Sequence, residues 1–267
     1  MAGQTPGVAG HVPDEGFSPR LDDGTKLGIA WRGRVFPQVG EAVAVLRCGG
    51  TAEKKGGHCS PEENRRRAAR RAKTQVRRYC VANRMRRLIT LTYRPPFCLD
   101  HGQVVEDVGV FIRKVRKGLG VEAFAYVWVP ELHKDGRRYH VHVVVDRFVS
   151  KSLVEKSWGH GFVDVRMIRN QGQGKGTAMR RVAGYVAKYV AKTYEGGTGM
   201  GGGGRHRYEC AQGFQPVSVE LEAPRPAVFA RLASEHFGGE PPSSAWSSAS
   251  VEHWTGPPVE VFEWALA

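Results

Sequence analysis

Residues 123–145 read AFAYVWVPELHKDGRRYHVHVVV, and this stretch decides the fold. Two runs of aromatic and β-branched residues, 123–129 and 138–145, are typical of strands. The residues between them include Lys134-Asp135-Gly136, which favour a tight turn. The stretch therefore predicts an antiparallel hairpin, around which the rest of the chain can be arranged.

Two histidines and one glutamate form a candidate metal site on this hairpin. Residues two apart in a strand point to the same face, so His140 and His142 project together while Val141 points to the other face. Counting back across the turn places Glu131, at the end of the first strand, near His140. A carboxylate and open water positions beside two imidazoles suit Mg²⁺ or Mn²⁺. The alternative for Glu131 is a surface salt bridge to Arg137 or Arg138.

The remaining pattern predicts an α+β domain. Ser60-Pro61-Glu62-Glu63 combines a hydroxyl N-cap, a proline at the first helical position and a glutamate at the third, so we expect a helix over residues 61 to about 83. Further strands are predicted at 88–93 and 162–168, and further helices at 104–119, 150–158 and 177–193. This order favours a mostly antiparallel sheet with helices on one face.

Charge points to a polyanionic partner. The 267 residues include 40 Lys and Arg against 26 Asp and Glu, a formal charge of +14. Nucleic acid is the first candidate, and an acidic membrane surface is the alternative. The predicted helix 61–83 carries many cations and no acid after Glu63, which predicts phosphate contact rather than a merely solvated face. Its candidate DNA-binding residues are Arg65, Arg66, Arg70 and Arg77.

The two ends of the chain differ from its middle. Residues 1–59 are rich in Gly and Pro, and residues 238–258 are rich in Ser, Pro and Gly. We therefore expect a weakly structured extension over 1–59, a folded domain over 60–237 and a flexible tail over 238–267. No run approaches the roughly 20 apolar residues that span a bilayer, which predicts a cytoplasmic protein without a membrane partner. Five irregularly spaced cysteines indicate reduced thiols.

A second chemical motif lies in the predicted helix 177–193. Tyr185-Val-Ala-Lys188 is followed at once by Tyr189-Val-Ala-Lys192. At about 100° per residue, both phenols and both ammonium groups share one stripe beside an apolar one. An amphipathic helix with tyrosines at its rim would explain this motif alone, but its combination with a His-Val-His strand favours catalysis.

The three motifs in this order resemble those of the HUH endonucleases, and more narrowly those of the two-tyrosine replication initiators of single-stranded DNA phages and rolling-circle plasmids. The first motif falls on Leu88-Ile-Thr-Leu-Thr-Tyr93, the second on His140-Val-His142 and the third on Tyr185 to Lys192. The resemblance covers about residues 65–216 and implies a ferredoxin-like nicking domain.

The resemblance also implies an activity: site-specific nicking and joining of single-stranded DNA at a replication origin. Tyr185 or Tyr189 would attack the scissile phosphate and form a 5′-phosphotyrosine link, near a metal held by the two histidines and Glu131. Lys188 and Lys192 would stabilise the phenolate or the phosphate. Around them, the hydroxyls and the ring contributed by Thr90, Thr92 and Tyr93 would contact the DNA backbone and stack on a base.

Two alternatives stay open at this point. A relaxase or transposase of the same superfamily would share the chemistry in another biological setting. A non-catalytic DNA-binding copy-control protein would use the basic helix alone. Because no Walker loop follows the motifs, an initiator of this kind would depend on a host helicase, and on a host polymerase to extend the free 3′ end.

Overall fold

The computed structural model describes residues 29–48, 60–167, 175–195 and 207–266. Within these ranges the strands are, in chain order, β1 Ile29–Phe36, β2 Glu41–Cys48, β3 Arg87–Tyr93, β4 Tyr126–Leu132, β5 Tyr139–Val145, β6 Gly161–Met167, β7 Glu209–Cys210, β8 Val219–Ala223, β9 Ser244–Ser247 and β10 Val259–Glu263. The α-helices are α1 Pro61–Ala82, α2 His101–Leu119, α3 Lys151–Trp158, α4 Lys175–Glu195 and α5 Pro226–Ser234.

A five-stranded sheet in the order β6-β3-β5-β4-β7 forms the centre of the fold. Every neighbouring pair in it is antiparallel. Strand β5, which carries the two histidines, is the middle strand of this first sheet. The α+β class and the antiparallel sheet predicted from the sequence are therefore confirmed.

Helices cover both faces of the first sheet, so the prediction of helices on one face is wrong. Helices α2 and α3 pack on the face that presents Val141 and Val143. Helices α1 and α4 pack on the opposite face, against Val127, Val144 and their neighbours. The physical reason is visible in β5 itself, where valines occupy both faces and each face must be buried.

The predicted elements around this sheet are confirmed within a few residues at their ends. The capping box at the start of α1 is present, with the Ser60 hydroxyl accepting from the Glu63 amide and the Glu63 carboxylate accepting from the Ser60 amide, each at 3.1 Å. Strand β4 continues through Pro130, although the sequence analysis ended it at residue 129. A proline is tolerated there because β7 pairs with Val127 and Trp128, which leaves the outer side of β4 free at Pro130. No helix in the described ranges is long and apolar enough to cross a bilayer.

A second five-stranded sheet, in the order β8-β1-β2-β10-β9, joins segments from both ends of the chain. The prediction that residues 29–48 and 244–263 lack regular structure is therefore wrong. Helix α5 covers one face of this sheet through Phe229, and Trp264 is 1% exposed in the same cluster. Residues 1–28 and 49–59 of the predicted extension lie outside the described residues, and the domain boundaries at 59 and 237 stay a prediction.

A buried carboxylate connects the second sheet to α1. Glu41, at the start of β2, is 1% exposed and accepts hydrogen bonds from the guanidinium groups of Arg77 and Arg78. The Arg78 Nε atom lies 2.9 Å from Glu41 Oε1. A buried charge needs such partners, because an uncompensated one would be costly. These ion pairs attach β2 to the second half of α1.

Candidate active site

The strand register brings the predicted metal ligands together. Glu131 of β4 pairs with His140 of β5, as the hairpin predicted, and Thr92 of β3 pairs with His140 from the other side. In the next row, Thr90 pairs with His142. Since paired residues project to the same face, one face of the first sheet carries the Glu131, His140 and His142 side chains, called the triad below.

The three ligand atoms of the triad converge on one point. Glu131 Oε2 lies 2.9 Å from His140 Nε2 and 2.8 Å from His142 Nε2, and the two Nε2 atoms lie 3.1 Å apart. An octahedral shell with bonds of about 2.0–2.1 Å separates neighbouring ligand atoms by about 2.8–3.0 Å, whereas a tetrahedral shell separates them by about 3.3–3.4 Å. The spacing therefore fits one triangular face of an octahedral shell, and the triad is a candidate site for a divalent cation.

Neighbouring groups orient the triad. Thr90 Oγ1 lies 3.3 Å from His142 Nδ1, so it fixes the imidazole that presents Nε2 to the site. Lys192 Nζ donates to Glu131 Oε1 at 2.8 Å, which leaves Oε2 for the histidines. His140 Nδ1 is buried and has no hydrogen-bond partner among the described residues. The ring of His133, which the sequence analysis missed, packs edge-on against His140 with centroids 4.5 Å apart.

The environment keeps the triad in the protonation states that bind a cation. Burial opposes ionisation of Glu131, but hydrogen bonds from His140, His142 and Lys192 outweigh it and lower the pKa of the carboxyl well below its usual range. Burial also lowers the pKa of His142, against the opposing effect of Glu131. An ionised carboxylate and a neutral imidazole are the forms that ligate metals.

Helix α4 places the two predicted nucleophiles beside the triad. The Tyr189 ring lies over the His142 ring, with centroids 4.0 Å apart and an interplanar angle of 31°. The Tyr189 hydroxyl donates to the Tyr185 hydroxyl at 2.7 Å. Tyr185 is 44% exposed, so a ligand from solvent can reach this pair of phenols. Burial and the hydrogen bond to Tyr185 raise the pKa of Tyr189, which stays protonated at neutral pH.

The two predicted catalytic lysines have different surroundings. Lys192 contacts Glu131, and its Nζ lies 5.4 Å from the centroid of the Tyr189 ring. Lys188 is exposed on the same helix and forms no ion pair with an acid in the described part of the chain. The packing of α4 thus brings Lys192, but not Lys188, to the triad.

The residues predicted to bind DNA divide into three groups. Thr90 and Thr92 lie on the triad face of β3, whereas Tyr93 projects to the opposite face, where it is 5% exposed and donates to Asp107 at 2.9 Å. The prediction that Tyr93 stacks on a base is wrong, because its ring is packed against Trp158. Strand alternation could have revealed this, since Tyr93 is out of phase with the two threonines.

On α1, the predicted DNA-binding arginines also differ. Arg65 and Arg70 are exposed to solvent, and Arg66 is exposed while paired with Glu62 in the same helix at 2.6 Å. Arg77 is engaged with the buried Glu41 and is mostly covered. The sequence could not reveal this ion pair, because its partner comes from a strand that was not predicted.

Comparison with known proteins gives one match. No curated protein and no solved structure shows significant similarity to the chain. A family model matches residues 86–194, which run from the start of β3 into α4 and contain the triad and both tyrosines. This match supports a role in DNA replication, since the segment is similar to the family described as replication-associated protein ORF2.

Proposed function

We propose that this protein nicks and joins single-stranded DNA at a replication origin, through a covalent tyrosine link, to initiate rolling-circle replication. The observation that carries the proposal is the position of Tyr189, whose ring lies on the metal-ligand candidate His142 while its hydroxyl bonds to Tyr185. A nucleophile held against a cation site is the arrangement that phosphoryl transfer requires. The similarity of residues 86–194 to a replication-associated family supports this choice of substrate.

Oxygen and nitrogen ligands at octahedral spacing favour Mg²⁺ or Mn²⁺ at the triad. Such a cation, when bound, supplies Lewis-acid polarisation of a non-bridging phosphate oxygen. The triad residues hold the site, and Thr90 keeps His142 in the tautomer that presents Nε2. The donor set of the chain therefore fits the cation that this chemistry uses.

The tyrosine forms the covalent link. The phenolic oxygen of Tyr189 or Tyr185 attacks phosphorus, a new oxygen–phosphorus bond forms to the 5′ phosphate, and the bond to the 3′ oxygen breaks. The phenol releases one proton and the departing 3′ oxygen takes up one, so the charge balances. Lys192, beside Glu131 and the Tyr189 ring, offsets negative charge that develops on the phosphate.

Two phenols in hydrogen-bond contact allow two successive transfers. While one tyrosine holds the first 5′ end, the other can attack a regenerated origin, and the released 3′ hydroxyl can rejoin the held end. Arg65, Arg66 and Arg70 on α1, with Thr90 and Thr92 beside the triad, are the proposed DNA contacts. Lys188 extends this cationic surface along α4. A host helicase and a host polymerase would separate and extend the strands.

The decisive experiment looks for the covalent product. The protein is incubated with single-stranded DNA containing the origin and Mn²⁺, then boiled in detergent and analysed by denaturing electrophoresis. We expect an adduct that survives boiling, and we expect the Tyr185→Phe/Tyr189→Phe double variant to form none. Absence of an adduct on every origin-derived strand, or its persistence in the double variant, would overturn the proposal.

A further inference from the structure

Strand β6 exposes an aromatic ring next to the triad face. Phe162 is 70% exposed, the largest exposed fraction among the large hydrophobic side chains of the described residues. It projects from an edge strand of the first sheet, on the side where Asp164 and Arg166 are also exposed. A single exposed apolar side chain is common on surfaces, so its position relative to the site decides its meaning.

The register places Phe162 in line with the metal ligands. Phe162 pairs with Thr92, Thr92 pairs with His140, and His140 pairs with Glu131, so the four residues form one row across four strands. Neighbouring strands lie about 4.8 Å apart, which places the Phe162 backbone about 10 Å from that of His140. A nucleotide that flanks a phosphate at the triad can span this distance. Phe162 therefore lies at the open end of the row that holds the metal ligands.

The backbone beside Phe162 is held closely. Gly161 has a φ of 159°, and a Cβ atom there would lie 2.3 Å from the Thr92 carbonyl oxygen. A glycine is required for this close approach of β6 to β3. The position of the following phenylalanine is therefore set by a paired strand rather than by a loop, as a site that positions a substrate requires.

We propose that Phe162 stacks on a base of the single strand next to the phosphate bound at the triad. The inference rests on the proposed function and adds the residue that positions the strand. Every base has a π-face, so an exposed ring binds single strands without requiring a particular sequence. Thr92, between Phe162 and His140, offers a hydroxyl to the backbone of the same nucleotide. The ring thus holds the strand across β3 while the tyrosines approach from α4.

The test separates base stacking from charge attraction. Binding of an oligothymidylate of about 15 nucleotides, and of an abasic strand of equal length, is measured by fluorescence anisotropy without divalent cation. We expect Phe162→Ala to weaken binding of the oligothymidylate about tenfold. We expect it to bind the abasic strand as the wild type does, because no base is present to stack. Phe162→Trp should retain wild-type affinity, which a merely structural role would not predict.

Phe148→Ala is the matched control. Phe148 is 65% exposed and lies under the Arg87 guanidinium, 4.4 Å from it. Arg87 begins β3, five residues before Thr92 and about 17 Å away along the strand. We expect this variant to bind both strands as the wild type does, because its ring lies at the far end of the sheet.

Three results would overturn the inference. The first is unchanged binding of the oligothymidylate by Phe162→Ala, and the second is an equal loss on the abasic strand. The third is a wild-type dimer that Phe162→Ala converts to a monomer, which would assign the ring to self-association. Failure of the proposed function looks different: if the wild type forms no covalent adduct but stacking depends on Phe162, the nicking claim fails while the inference stands.

Discussion

Tyr189 lies over His142, with ring centroids 4.0 Å apart, although the two residues come from different elements and are separated by a helix, a strand and a further helical stretch. This contact joins the nucleophile candidate to the metal-ligand candidate. The hydroxyl bond from Tyr189 to Tyr185 extends the same site to solvent. Binding of a cation and attack by a phenol can therefore be tested through separate residues.

Replacement of Glu131 by Gln should weaken Mn²⁺ binding by more than about tenfold, because the ionised carboxylate supplies both charge and a ligand atom. Calorimetric titration of the purified protein measures this loss. Glu155→Gln, an exposed acid of α3 on the other side of the sheet, is the control and should bind Mn²⁺ as the wild type does. Equal affinity of all three proteins would show that the triad does not hold the cation.

Replacement of Thr90 by Val should lower Mn²⁺ affinity about tenfold, since it removes the oxygen atom that orients His142. Thr92→Val changes the same kind of side chain two residues away, where none of the described hydrogen bonds joins the hydroxyl to a triad histidine. Its Mn²⁺ affinity should stay within about twofold of the wild type. If both variants lose affinity equally, the hydroxyl of Thr90 has no specific role.

Replacement of Lys192 by Met should separate catalysis from metal binding. The ammonium group shares Glu131 with the histidines, so its loss leaves the carboxylate free and should not weaken Mn²⁺ affinity. The rate of adduct formation should fall at least about tenfold, because a cation near the phosphate is lost. Lys117→Met, on the opposite side of the sheet, should leave the rate unchanged. A parallel loss of affinity and rate in Lys192→Met would contradict this division.

Replacement of Arg65 and Arg70 by Gln should reduce the salt dependence of DNA binding. Each phosphate contact that is lost lowers the slope of log affinity against log salt concentration by about 0.7 for a single strand. Anisotropy titrations of single-stranded DNA over a series of NaCl concentrations measure the slope. Arg113→Gln, an exposed change on α2, should keep the wild-type slope. An unchanged slope in the double variant would remove α1 from the DNA surface.

Replacement of Glu41 by Gln should lower the free energy of unfolding by about 2 kcal/mol, because Arg77 and Arg78 would lose a buried partner while keeping part of their surface in water. Urea denaturation followed by circular dichroism measures the change. Glu220→Gln removes an exposed partner of Arg34 and should cost under about 1 kcal/mol. Similar small losses in both variants would show that the ion pairs of Glu41 do not join the second sheet to α1.

The sequence predicted the first sheet better than the second. The strands of the first sheet are long runs with clear alternation, interrupted by well-capped helices, and these signals are local. Strands β1 and β2 contain glycine, arginine and short apolar runs, and β9 is a four-residue strand that includes Trp246. Such segments become strands only when a distant partner pairs with them, as β8 and β10 do here.

The sequence by itself determined the hairpin that pairs Glu131 with His140, because a turn motif and a period of two residues set a strand register locally. It also determined that Tyr185 and Tyr189 share a helical stripe. Only the tertiary structure decided that this stripe faces His142, that Lys192 reaches Glu131 and that Tyr93 is packed in the opposite layer. These contacts depend on how distant apolar faces cover a sheet that must be buried on both sides, which no local pattern contains.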